Sequence, residues 1–183
     1  MENIRARLDC LTNKFNDNDF LQNKGLSNEV GIHIFCYNPE DEMVVKNYVH
    51  QLKGIDTKAN IIECDLYKIF LKICEEKRVL DRLPKIEEAK GNDAFLKMVT
   101  LFATPNAFIK HMKYENHTDN DVLLIIGVGN VYPYMRCNNI LENIQPEFPN
   151  TPVVVMYPGS YTGQTLILFN RFETNYYRAF NLL

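Results

Sequence analysis

A chain of 183 residues that is 46% hydrophobic and 11% aromatic has enough apolar surface for one substantial core, which excludes disorder as its main state. Its 20 Lys+Arg against 23 Asp+Glu leave a net charge of -3, a field that repels polyanions and excludes a dedicated nucleic-acid coat protein. No apolar run of about 18 residues is present to span a bilayer, and the opening MENIRARLDCLTNKF is charged where a secretory leader needs an apolar stretch, so a cytoplasmic location without membrane contact is expected.

In chain order, Ile4, Leu8, Leu11 and Phe15 share one helical stripe, which predicts an amphipathic helix ending near the polar NDND. Val30–Tyr37 (VGIHIFCY) reads as a buried strand. It is followed by Asn38-Pro39-Glu40-Asp41-Glu42, an arrangement suited to a helix start: Asn38 as N-cap, Pro39 at the first helical position, and Asp41 placed to reach back as a capping-box carboxylate. A helix through Leu52 should follow. Ala59–Cys64 is a second strand, and Asp65 caps a helix carrying Leu66, Ile69, Phe70 and Ile73. From Leu66 to His117 helical stripes are punctuated by Pro84, Gly91 and Thr104-Pro105, with no convincing strand. Asp121–Gly127 (DVLLIIG) is the clearest buried strand; Gly127-Val128-Gly129-Asn130 and a Tyr-Pro-Tyr turn lead into a helix with Ile140, Leu141 and Ile144. Thr151–Tyr157 is the next strand, stopped by Pro158-Gly159, and Thr165–Phe169 and Tyr176–Phe180 add one or two edge strands. The expected class is α/β: a mainly parallel central sheet of four to six strands, helices on both faces, and an all-helical insertion at about residues 66–117 between the second and third strands, within one domain spanning 1–183.

Ligands in such sheets bind beyond the carboxyl ends of the strands, which singles out Asn38–Asp41, Cys64–Asp65, Gly127–Arg136 and Pro158–Thr165. The last is a distorted echo of a phosphate loop. Gly159, Gly163, Gln164 and Thr165 are its weak cofactor-binding candidates, but Pro158 replaces the first Gly, Gln164 replaces the Lys, and LILFN after it reads as a strand, so a tight turn is the expectation. Gly127-x-Gly129 follows a strand as a dinucleotide fingerprint does, with Tyr132 where a third Gly is required; Asp65 is better explained as a helix cap than as a ribose ligand. Five cysteines, Cys10, Cys36, Cys64, Cys74 and Cys137, form no C-x-x-C pair, and the four histidines match no zinc spacing. No catalytic residue, cofactor or metal is assigned. What remains is a candidate recognition surface of Asn130, Tyr132, Tyr134, Arg136, Tyr177 and Arg178, residue types that anchor interfaces and equally pack inward from a sheet.

These loops also carry a resemblance. Asn38-Pro39-Glu40-Asp41-Glu42, Gly127-Val128-Gly129 with Val131-Tyr132-Pro133 and Arg136, Tyr157-Pro158-Gly159 with Gly163-Gln164, and Tyr176-Tyr177-Arg178-Ala179-Phe180 resemble the BrxB family of bacteriophage exclusion (BREX) systems, over almost the whole chain. The resemblance implies a non-catalytic core or adaptor subunit of an anti-phage system that methylates host DNA and excludes phage. It implies contact with a PglZ-like protein first, then a PglX-like methyltransferase and a BrxC-like ATPase. The alternative reading is a degenerate P-loop-like nucleotide-binding domain without hydrolysis. Residues 66–117 hold 10 Lys+Arg and 7 Asp+Glu, leaving 10 and 16 elsewhere, so direct DNA contact is not expected of the core and would fall on the insertion. A homodimer is compatible with the sequence.

Overall fold

Apolar side chains that alternate along each central strand divide the interior between two faces of one sheet. The computed structural model describes residues 3–24, 31–176 and 179–182. Helix α1 (Ile4–Lys14) is capped by Asn3 and turns Leu8 and Leu11 inward, and the short α2 (Asn18–Leu21), capped by Asp17, buries Phe20 and Leu21. Strand β1 (Ile32–Tyr37) follows. Val30, where that strand was expected to begin, lies outside the described residues.

Asn38 caps the next turn as expected, accepting from Glu40 N–H, but Pro39–Asp41 winds as a 3-10 turn before α3 (Glu42–Leu52). The tighter turn brings Asp41 N–H to Asn38 O at 2.8 Å, and Asp41 makes no capping bond with its side chain. The capping box expected there is therefore absent, because it requires an α-helical third position. Strand β2 (Asn60–Asp65) leads into α4 (Leu66–Glu76), and Asp65 caps it through Tyr67 N–H and Lys68 N–H. The insertion continues with α5 (Leu83–Lys90), α6 (Asn92–Thr100) and α7 (Pro105–Met112) before β3 (Asp121–Ile126). Then come α8 (Val128–Val131), α9 (Cys137–Ile144), β4 (Val153–Tyr161), β5 (Thr165–Leu168), β6 (Phe172–Asn175) and β7 (Phe180–Asn181).

The strand order is β2-β3-β4-β1-β7, all parallel, and β5 and β6 extend β4 as an antiparallel hairpin pair. Seven strands among the described residues is one beyond the expected range. The surplus comes from β6, whose exposure alternates without an apolar run to announce it. The last strand also differs from expectation: Tyr176 follows β6, residues 177–178 lie outside the described residues, and β7 is Phe180–Asn181.

A second correction concerns Pro158-Gly159, which does not stop β4. The Pro158 carbonyl accepts from Phe169 N–H at 2.8 Å on the edge of β4 opposite β1. The proline nitrogen costs at most the reciprocal bond to Phe169 at the end of the β5 ladder and none to β3, whose last pair with β4 is Ile125 with Val155.

On one face Phe35, Val122, Leu124, Val154 and Met156 pack against α1, α2 and α3. On the other, Ile32, Ile34, Leu123, Ile125, Val153 and Val155 lie under α4, α6, α7, α8 and α9. Helices thus cover both faces, and α5 buries none of its residues fully.

His33 sits on the first face between the rings of Phe20 (5.0 Å) and Phe180 (5.8 Å), 8% exposed, and its Nε2 meets no hydrogen-bond partner among the described residues. Burial, with a smaller push from Lys14, lowers its pKa from 6.5 to about 4. Folding favours the neutral ring, so this contribution is complete above pH 6.5 and is lost as pH falls toward 4. Urea unfolding should show about 2 kcal/mol less stability at pH 5 than at pH 7.5 from this residue, and His33→Phe should flatten that slope.

Candidate functional site

At the carboxyl ends of the parallel strands, a cleft of about 380 Å³ opens between α3 and the start of α4, with Ile126 and Met156 in its lining. Its carboxylates are matched by lysines of the same chain. Glu42 pairs with Lys46 (3.3 Å), Glu63 with Lys53 (2.9 Å) and Lys68 (3.8 Å), and Asp65 with Lys68 (3.5 Å). Tyr37 Oη donates to Glu42 at 2.6 Å, and burial together with that carboxylate pushes the phenol far above its usual pKa, so it remains a donor. Asn130 is exposed and lines the same cleft.

Gly127 lines the cleft, and the position takes glycine for two local reasons. Its φ of +74° is left-handed, and a Cβ there would come 2.8 Å from Asp65 Oδ1. That oxygen already accepts from Tyr67 N–H (3.0 Å) and Lys68 N–H (3.2 Å). The N-terminus of α4, the place a pyrophosphate takes in dinucleotide-binding sheets, thus holds this chain's own carboxylate.

The segment Pro158–Thr165 spans the end of β4, a turn and the start of β5. Gly159 is buried within β4, while Gly163 (φ +89°) and Gln164 are exposed at the turn. Thr162 Oγ1 accepts from Thr165 N–H at 3.1 Å, and Thr165 opens a strand. These four residues are therefore strung along a hairpin, with no helix start following them to receive a phosphate.

The residues expected to form a recognition surface separate. Tyr134 stacks on Phe70 (4.6 Å, 6° between planes) and meets Phe95 edge-on at 6.1 Å, joining the loop to the helical insertion. Tyr132 turns the other way, to Phe172 (5.0 Å) and Phe169 (6.4 Å) of the β5–β6 hairpin. Arg136 is exposed and donates from Nη1 to Thr174 Oγ1 on β6 at 3.3 Å. Tyr177 and Arg178 lie outside the described residues. Sequence reasoning missed Phe169, Arg171 and Phe172, which complete this cluster; the available signal was Asn170-Arg171, a polar break between Phe172 and Phe169, the latter read as the end of an edge strand.

At the opposite end of the sheet Asp121, 1% exposed, opens β3 and accepts four hydrogen bonds: Asn60 Nδ2 (2.7 Å), Thr118 Oγ1 (2.6 Å), Thr118 N–H (2.8 Å) and Tyr114 Oη (2.8 Å). Burial alone raises its pKa, but these donors outweigh burial and hold it below 3.8. Burial also pushes the thiols of Cys36, Cys64 and Cys137 up to about 12 and Cys74 to about 11, the reverse of an activated nucleophile. Among the described residues no group of three or more His, Cys, Asp or Glu is placed to hold a metal ion, and no helix is long and apolar enough to cross a membrane.

Fold and site together define an α/β protein of the open parallel-sheet class, in which an antiparallel hairpin extends one central strand and carries an aromatic cluster. A family model described as BREX protein BrxB matches residues 62–182, a span that includes Asn130–Arg136 and the whole β5–β6 hairpin. The chain is 37% identical to a BREX protein BrxB of Bacillus cereus (strain H3081.97), covering 100% of this chain and 99% of that protein. It is 27% identical to a BREX protein BrxB of Escherichia coli O9:H4 (strain HS), covering 98% of this chain and 92% of that one. No solved structure matches. The chain belongs to the BrxB family and is a component of a BREX anti-phage system, which makes other BREX proteins its partners.

Proposed function

We propose that the chain is a non-catalytic core subunit that docks larger BREX components, a PglZ-like protein first and then a PglX-like methyltransferase and a BrxC-like ATPase, in support of host DNA methylation and phage exclusion. The observation that carries this reading is the contrast between the two ends of the Gly127–Arg136 loop. On its cleft side Glu42, Glu63 and Asp65 are each neutralised by a lysine of the same chain. On its hairpin side the guanidinium of Arg136 is exposed beside partly exposed aromatics. Arginine and aromatic side chains together supply planar hydrogen bonding and large contact area, the usual anchors of an interface.

Affinity purification of the tagged chain from cells carrying the complete BREX gene set tests the reading. The PglZ-like protein should co-purify and stay bound through a wash at moderate salt. Recovery of no BREX protein above a tag-only control would sink it.

A further inference from the structure

We propose that the β5–β6 hairpin presents a docking patch, centred on Phe169 and bordered by Arg136 and Arg171, for an acidic segment of another BREX protein that inserts an apolar side chain beside the Phe169 ring. This rests on the adaptor reading and gives it a surface and a partner chemistry.

The backbone supplies the first observation. Phe169 (φ +54°) and Asn170 (φ +56°) are both left-handed, a conformation that Asn accepts at low cost and a bulky ring does not. The fold nevertheless holds a phenylalanine there, 37% exposed. Local strain of this kind is concentrated at ligand clamps and binding surfaces.

The ring is also fixed in place. The position a Cβ would take on Gly129 lies 2.8 Å from its Cε1 and 3.3 Å from Pro158 Cγ, so only a glycine lets the ring settle on the α8 backbone. Tyr132 meets it edge-on at 6.4 Å and packs in turn on Phe172 at 5.0 Å. A fixed, partly exposed ring loses little freedom when a partner covers it, which is what makes an aromatic an efficient anchor.

Charge specifies the partner. Arg171 Cζ lies 5.5 Å from the Phe172 ring centre, and Arg136 bonds Thr174. Phe172 and Thr174 share one face of β6 two residues apart, about 7 Å along the strand. Neither guanidinium meets a carboxylate among the described residues. Two unneutralised guanidinium groups around an aromatic centre complement carboxylates flanking an apolar side chain.

A second copy of this chain fits less well. A symmetric contact would bring like-charged patches together, and a contact with the acidic Glu40–Glu42 turn would be head-to-tail, with no closed symmetry to end it. Single-stranded nucleic acid would also use arginine and stacking rings, but it needs a basic groove that follows several successive phosphates, whereas the two guanidinium groups bordering this patch match only a few carboxylates.

The test places the photo-crosslinker p-benzoylphenylalanine at position 169 in cells carrying the complete BREX system, and compares recovery of BREX proteins by the wild type, Phe169→Asn and Arg171→Glu. The expected crosslink joins position 169 to a peptide of another BREX protein that contains an apolar residue flanked by Asp or Glu. Each variant should recover that protein at least about 30-fold less well. Arg171→Glu, at an exposed side chain, should leave the melting temperature unchanged, so that its loss of recovery reports the patch and not the fold. Wild-type recovery undiminished in both variants overturns the patch and leaves the adaptor reading standing. No recovery by the wild type overturns both. A crosslink to a second copy of this chain, or binding of a labelled single-stranded oligonucleotide that Arg171→Glu abolishes, overturns the protein partner proposed here.

Discussion

Asp121→Ala lowers the stability of this protein by about 4 kcal/mol, the largest effect expected of any single change outside the apolar cores. The carboxylate accepts from Asn60, Tyr114 and two groups of Thr118, and so ties β2, the end of the insertion and the loop before β3 to one point. Alanine leaves all four donors facing a methyl group at a site where the aspartate is 1% exposed. Each unsatisfied buried donor costs about 1–3 kcal/mol, reduced where the loop relaxes and water enters. Asp121→Asn should cost about 2 kcal/mol, because one new N–H₂ faces two donors and only a hydroxyl among them can turn to accept.

The same carboxylate sets an acid limit. Its folded pKa lies below 3.8, so its contribution is complete above that value and is lost as pH falls through the lower folded one. Urea unfolding of the wild type below pH 4 should therefore show a decline that Asp121→Asn lacks. The His33 decline lies higher, between pH 6.5 and 4, so the two residues separate on one pH series.

Gly159→Ala is expected to cost about 3 kcal/mol and to release the β5–β6 hairpin. A Cβ at this position would overlap the Ile167 carbonyl oxygen, a backbone atom that cannot move without opening the ladder. That ladder pairs Gly159 with Leu168 and Ser160 with Ile167. Because Phe169 follows Leu168 directly, the change should also remove partner recovery in the affinity experiment. Gly163→Ala is the control. Its φ of +89° disfavours alanine but nothing lies within 4 Å of the added Cβ, so the cost should be about 1 kcal/mol with the hairpin intact. Hydrogen exchange at residues 165–175 distinguishes the outcomes: rapid exchange in Gly159→Ala alone supports the assignment, and equal protection in both variants contradicts it.

Much of the candidate site could be named but not assembled before the structure. Tyr132 and Arg136 were legible because aromatic and arginine residues after a buried strand sit where open sheets bind ligands. Tyr134, of the same residue types and two positions from each, packs into the insertion because Phe70 and Phe95 are there to receive it. Spacing along a loop carries no information about such partners. Phe169, Arg171 and Phe172 escaped notice because their importance depends on a hairpin whose strands are short and whose exposure alternates weakly.

The sequence by itself determined the α/β class, strands β1 to β3 and the start of β4, the helical insertion and the Asp65 cap. Each of these follows from signals within a few residues: apolar runs, a 3.6-residue stripe, or a side chain that bonds to the backbone two or three positions on. Only the tertiary structure decided that β4 runs through Pro158-Gly159, that Asp121 gathers four donors, and that Arg136 and Phe169 border one surface. Those outcomes depend on which strand pairs with each stretch of β4 and which residues lie across the sheet, contacts between segments far apart in the chain that no local pattern encodes.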